Sequence, residues 1–169
     1  GADYIDVNAG AFYDIEADLL KEMIISIHSE LDVPLSIDSP RPDVIKEAMK
    51  VYKGKQAIFN SCLYEEGVLL KALPIIKEYN MKVIALLMDE SGIPNSAQKR
   101  LEIAKHLVER FLDEGISEHD IFLDPMIQPV SIDASYVNVA LETIRLLKEQ
   151  FENVNIICGL SNISFGLPS

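Results

Sequence analysis

Two kinds of segment alternate along the chain. Short apolar runs give way to longer stretches whose apolar residues recur every third or fourth position. The first kind predicts strands buried on both faces and the second predicts amphipathic helices. Tyr4–Asn8 is the first predicted strand. A helix follows from Asp14 to about Glu30, with Ile15, Leu19, Leu20, Met23, Ile24 and Ile27 on one stripe and Asp14 placed to cap it. Val33–Ile37 leads into Asp38-Ser39. Pro42 opens a helix that runs to about Tyr52, and Gly54 ends it. Gln56–Phe59 leads to Asn60-Ser61. The helical pattern from Glu65 to Tyr79 contains Pro74, which predicts a break with the main helix starting near Leu73.

Lys82–Met88 runs up to Asp89. A helix from about Ser96 to Glu114 carries Leu101, Ala104, Leu107, Val108 and Phe111 and stops at Gly115. Ile121–Leu123 ends abruptly in Asp124-Pro125. Ala134–Phe151 reads as a helix with Val137, Leu141, Ile144, Leu147 and Lys148 on its stripe. Asn155–Leu160 is a last strand, ending in Ser161-Asn162.

Strand and helix alternating throughout predict an α/β fold, a parallel sheet joined by right-handed crossovers. Either an open doubly wound sheet or a TIM (β/α) barrel fits that order. No G-x-G-x-x-G run follows an early strand and no P-loop is present, which removes the usual marks of the first. Polar residues instead close strand after strand: Asp6 and Asn8, Asp38, Asn60, Asp89, Asp124, Asn162. In a (β/α) barrel those ends converge on the mouth that carries the chemistry. About six strands are legible where a closed barrel has eight. The chain begins directly before a strand, and Leu167-Pro168-Ser169 follow the last one with no closing helix. We therefore expect one domain, residues 1–169, forming a barrel segment without its first and last elements and with unpaired edges near Ile5 and Ile157.

Composition narrows the chemistry. The 169 residues are 49% hydrophobic with a formal net charge of −12, which argues against non-specific nucleic-acid binding. Cys62 and Cys158 lie far apart without metal-ligand spacing, no membrane-length apolar run is present, and no signal peptide is expected. They read as reduced thiols of a cytoplasmic protein. His28, His106 and His119 fall on helical stretches or beside a turn, away from the strand ends, so no metal site is expected. Asp38 and Asp124 could form a glycosidase carboxylate pair, but the chain has no Trp to supply a sugar platform.

One Asp at a strand end is most simply a turn cap; the recurrence points to a shared task. A carboxylate can accept two parallel donors at once, from a ring N–H and an exocyclic amine. An Asn reads a mixed donor and acceptor edge. A pterin or guanine ring presents such an edge.

At this point the motifs match a family. Asp-Val-Asn-Ala-Gly (6–10), Ile-Asp-Ser (37–39), Phe-Asn-Ser (59–61), Met88 with Ser91–Pro94, Leu-Asp-Pro-Met-Ile-Gln-Pro (123–129) and Gly-Leu-Ser-Asn-Ile-Ser (159–164) occur in order. They resemble the pterin-binding barrel of methyltetrahydrofolate–corrinoid methyltransferases, and the folate module of cobalamin-dependent methionine synthase is similar. The resemblance implies a TIM barrel, usually a homodimer, that binds methyltetrahydrofolate and passes its methyl group to the cobalt of a corrinoid (cobalamin) held by a partner protein. It implies that Asp38, Asn60 and Asp124 hold the pterin ring and that Asn162 sits near the methylated nitrogen as the catalytic amide. Asp6 and Asn8 match as well. Dihydropteroate synthase shares this barrel, but it would carry Ser-Thr-Arg-Pro soon after the first strand, where this chain reads Ala-Gly-Ala-Phe-Tyr (9–13). A Gly-rich run after Asp124-Pro125 is also replaced by Met-Ile-Gln-Pro. A barrel that binds a pterin or a corrinoid protein without turnover is the remaining, non-catalytic alternative.

Overall fold

Each apolar run that ends in a polar residue forms a strand, and each periodic stretch forms a helix. The structure, a computed structural model, describes residues 1–167. The strands are β1 (Ile5–Asn8), β2 (Leu35–Asp38), β3 (Ile58–Tyr64), β4 (Lys82–Asp89), β5 (Ile121–Asp124) and β6 (Asn155–Ile156). The helices are α1 (Glu16–Glu30), α2 (Pro42–Met49), α3 (Glu66–Glu78), α4 (Ala97–Asp113) and α5 (Ser135–Gln150). The strands follow one another in sequence order in a six-stranded sheet, so β1 and β6 stand at its two ends. This is the β/α alternation of a TIM barrel, with six of its strands. Among the described residues no helix is long and apolar enough to cross a membrane.

Two compact units are distinguishable. The first comprises Gly1–Cys62 and Glu66–Val83; the second begins at Ile84 and includes Leu63–Glu65. In the first, β1 pairs with β2 and β2 with β3, both parallel, so that Asn8, Asp38 and Asn60 fall in one register row. There α1 packs on α2 and α2 on α3, over a core that includes Leu20, Ile24, Leu35, Ile37, Ile45 and Phe59. In the second, β5 pairs in parallel with β6 and α4 packs on α5.

Several predicted boundaries move, each for a local reason. Asp14 does not cap α1. The Asn8 side chain accepts the Gly10 N–H at 2.9 Å, and the Phe12 N–H bonds Ala9. Residues Gly10–Ile15 therefore leave β1 as a 3-10 segment, and α1 starts at Glu16 with no side-chain cap. Helix α2 stops at Met49; residues 50–52 close with bonds three residues back. Gly54 lies beyond that end, and a Cβ there would meet the His28 ring at 2.8 Å. Pro74 does not break α3, which runs unbroken from Glu66 to Glu78. The proline frees the carbonyl of Leu70, an exposed residue, while Leu69, Ala72, Leu73, Ile75 and Ile76 are buried on the other side. Helix α5 buries Ala140, Thr143 and Leu147 and leaves Leu141 60% exposed, so its inner face is displaced from the predicted stripe. Strand β6 ends at Ile156 rather than Leu160. Its last partner, Leu123, bonds the Ile157 N–H at 3.1 Å, and two positions on Pro125 interrupts β5.

Helix α4 behaves as expected at both ends. Gly115 adopts φ +82°. Its N–H bonds Leu112 and the Ile116 N–H bonds Phe111, closing a Schellman turn. At the other end Ser96 accepts the Lys99 N–H at 3.3 Å. Replacing Ser96 with Ala should cost about 1 kcal/mol, the usual worth of such a cap. A urea transition measures this directly; an unchanged midpoint would show that the contact contributes nothing.

Candidate functional site

Side chains in register on adjacent parallel strands share one face of the sheet. The β1–β2–β3 register therefore builds two rows. Asp6, Ser36 and Ile58 form one, and Asn8, Asp38 and Asn60 form the next, nearer the strand ends. Amides and carboxylates cross-link the face: Asn8 Nδ2 donates to Asp38 Oδ2 at 2.8 Å, and Asn60 Nδ2 donates to Asp6 Oδ1 at 3.1 Å. Burial pushes the Asp38 carboxyl above its ordinary value. The Asn8 hydrogen bond pulls the other way, and the charges of Asp6 and Glu16 add to the rise. Each amide donates one bond here and keeps a second N–H, while each carboxylate keeps an oxygen for further donors. Asn60 lies within β3, which continues to Tyr64, and not at its end.

In the second unit Asp124 ends β5, as predicted. Its Oδ1 accepts the Met126 N–H at 2.8 Å across Pro125, and Met126 takes a left-handed φ of 60°. Burial raises the Asp124 carboxyl, while the Met126 bond and the charge of Arg100 oppose the rise. Asn162 lies on the 3-10 segment Leu160–Ser164, exposed, six residues past the end of β6. Its amide folds back over Gly159, where a Cβ would meet Nδ2 at 2.9 Å. Among the described residues its side chain forms no hydrogen bond.

The three histidines stand elsewhere. His28 packs edge-on against Tyr52 and His106 stacks on Tyr64; His119 lies in the short 3-10 turn before β5. Among the described residues no group of His, Cys, Asp or Glu is arranged to hold a metal ion.

Three polar features went unnoticed in the sequence. Ser36 is buried beneath Asp38, with an Oγ that lacks a partner among the described residues. Glu16 is 2% exposed, and its Oε2 takes both Nε and Nη2 of Arg41 at 3.2 and 2.7 Å. Arg100 is 0% exposed at the inner face of α4. The clue to Arg100 is a cation set next to Leu101 at the head of an otherwise apolar stripe.

Parallel strands that present carboxylates and amides on one face match the barrel architecture in which chemistry is carried at strand ends. The chain belongs to the pterin binding enzyme family, whose profile matches residues 1–168. It is 34% identical to the methylcorrinoid:tetrahydrofolate methyltransferase of Eubacterium limosum, over 100% of this chain and 63% of that protein. It is 30% identical to the methionine synthase of Mycobacterium tuberculosis, over 88% of this chain and 13% of that protein. Thus the chain spans less than two thirds of these relatives. Among solved structures, dihydropteroate synthase from Vibrio fischeri superposes with a TM-score of 0.66 at 23% identity, over 94% of this chain and 60% of that one. That likeness bears on the fold alone.

Proposed function

We propose that this protein is a methyltransferase that moves a methyl group between a tetrahydropterin, methyltetrahydrofolate in the first instance, and the cobalt of a corrinoid carried by a partner protein. The carrying observation is the hydrogen-bonded face of Asp6, Asn8, Asp38 and Asn60 on three adjacent parallel strands. Its mixture of carboxylate acceptors and amides matches the edge of a pterin ring. Asp38, Asn60 and Asp124 hold the ring in this reading, Asp6 and Asn8 set the amides, and Asn162 serves the methylated nitrogen. The likeness to the E. limosum enzyme supports the transfer over simple binding. A transfer and its reverse share one transition state, so the same residues serve methyl leaving or reaching the pterin. We further propose a cytoplasmic homodimer, in line with two free cysteines.

The corrinoid, when docked, supplies the nucleophilic or methylated metal. This chain's residues bind and orient the pterin and stabilise the ring nitrogen. A tertiary amine leaves poorly without a proton or a strong hydrogen bond, and Asn162 can donate or accept as that nitrogen changes state. A contact that strengthens only in the transition state raises the rate without tightening substrate. Asn162→Ala should therefore slow single-turnover methyl transfer by about tenfold, the scale of one hydrogen bond, with folate affinity almost unchanged. Equal losses in both would leave Asn162 an ordinary binding contact.

Dihydropteroate synthesis is the alternative chemistry that shares this barrel fold. This chain lacks the Ser-Thr-Arg-Pro run expected of that enzyme after β1 and reads Ala9-Gly10-Ala11-Phe12-Tyr13 there.

A further inference from the structure

Arg100 is the largest fully buried side chain among the described residues, yet it donates only to neutral oxygens. Its Nε bonds the Pro94 carbonyl at 2.9 Å. Nη1 bonds the carbonyls of Pro125 and Met126 at 2.5 and 3.0 Å, and Nη2 bonds Gln128 Oε1 at 2.8 Å. Three of these four acceptors belong to the run just after Asp124. A buried guanidinium without a carboxylate in contact is a costly way to fill space, and an apolar residue would pack at lower cost. The fork geometry of Arg is suited to fixing several acceptors at once.

We propose that Arg100 is a positioning residue for the tetrahydropterin site: it locks the Asp124-Pro125-Met126 turn through its carbonyls and aims the Asp124 carboxylate at the ring. This rests on the methyltransferase reading for the ligand. The turn is demanding. Met126 holds a left-handed φ of 60° while its N–H bonds Asp124, and its carbonyl is tied to Arg100. Releasing the carbonyls frees that conformation to relax, and the carboxylate moves with it. Besides burial, two groups act on the Asp124 carboxyl, the Met126 N–H from the turn and Arg100 from α4, and Asp124 acts in turn on Cys158 beyond β6. The Cys158 thiol is raised by burial and by the Asp124 charge. Arg100 is the one positive charge among them, so its removal raises the Asp124 carboxyl further.

The test is a double-mutant cycle on the full chain with tetrahydrofolate as the probe in calorimetry, beside a 13C NMR titration of the Asp124 carboxyl. Arg100→Lys keeps the charge but not the fork. It should weaken tetrahydrofolate binding by about tenfold in the wild-type background and by less than about threefold in Asp124→Asn, since the two act as one unit. Arg100→Met should in addition move the Asp124 titration to higher pH. A folded Arg100→Lys protein with wild-type affinity overturns the proposal, as does the same loss in both backgrounds. If Arg100→Met does not fold, the lysine cycle decides alone. If the wild type binds no tetrahydrofolate, the functional reading falls. The carboxyl titration still judges Arg100 in that case: a folded Arg100→Met protein with an unmoved Asp124 midpoint rejects its action on that group, and a raised midpoint upholds it.

Discussion

Asp124→Asn should lower tetrahydropterin affinity by roughly 100-fold while raising the stability of the unliganded protein. The proposed ring edge offers two donors to this carboxylate, and hydrogen bonds to a charged group contribute about 1.5–3 kcal/mol each. The Asn amide turns one of them into a donor facing a donor, and about 1.4 kcal/mol is a decade in affinity. The stability change has the opposite sign. Burial raises the Asp124 carboxyl above its ordinary value in the folded protein. A carboxyl raised in this way favours folding below the ordinary value of 3.8, and that benefit is lost as pH rises through the folded value. At neutral pH the charged form is therefore a cost, which Asn avoids while its Oδ1 still accepts the Met126 N–H. Calorimetric titration with tetrahydrofolate and a thermal melt measure the two effects. Unchanged affinity in a folded variant would make Asp124 a turn residue only, and a lower melting temperature would contradict the burial cost.

Arg41→Ala should lower the urea midpoint clearly, because it leaves the buried Glu16 carboxylate without its partner. The Glu16 side chain is 1% exposed, and its Oε1 has no partner among the described residues. Without Arg41 the other oxygen loses both of its bonds. Arg41 also bonds the Tyr13 carbonyl at 2.9 Å, and its guanidinium lies 4.0 Å from the Tyr13 ring centre, so the 3-10 segment after β1 loosens too. Changing Glu16 and Arg41 together to Met should recover most of the loss, because no buried charge is then stranded. Urea midpoints at constant slope measure both variants. An unchanged midpoint for Arg41→Ala would class the pair with exposed ion pairs.

The sequence made the alternation and the strand-end carboxylates legible because both are written locally. Each apolar run stops at a polar residue, and Asp38 and Asp124 stand where that pattern puts them. Reading the strands as uniform apolar runs concealed a period of two in β1 and β2. Ile5-Asp6-Val7-Asn8 and Leu35-Ser36-Ile37-Asp38 alternate, and that alternation is what puts Asp6, Asn8, Ser36 and Asp38 on one face. The pairing of Asn60 with Asp6 spans two strands and depends on register. Register belongs to the sheet as a whole and is not written in any one segment. Arg100 and Glu16 were missed because their partners Gln128 and Arg41 lie far away in sequence, so their burial shows only in three dimensions. The end of β6 falls earlier than its apolar run predicts because its length follows from the proline in its neighbour β5.

Single-turnover mixing of the full chain with methyltetrahydrofolate and cob(I)alamin, followed by the visible spectrum of the corrinoid, tests the central claim most directly. The account predicts conversion to methylcob(III)alamin well above the rate without protein, slowed in Asn162→Ala and abolished at subsaturating folate in Asp124→Asn. Tight binding of methyltetrahydrofolate with no methyl transfer to cob(I)alamin, or to a corrinoid protein supplied in its place, would contradict it and leave a pterin-binding barrel without turnover.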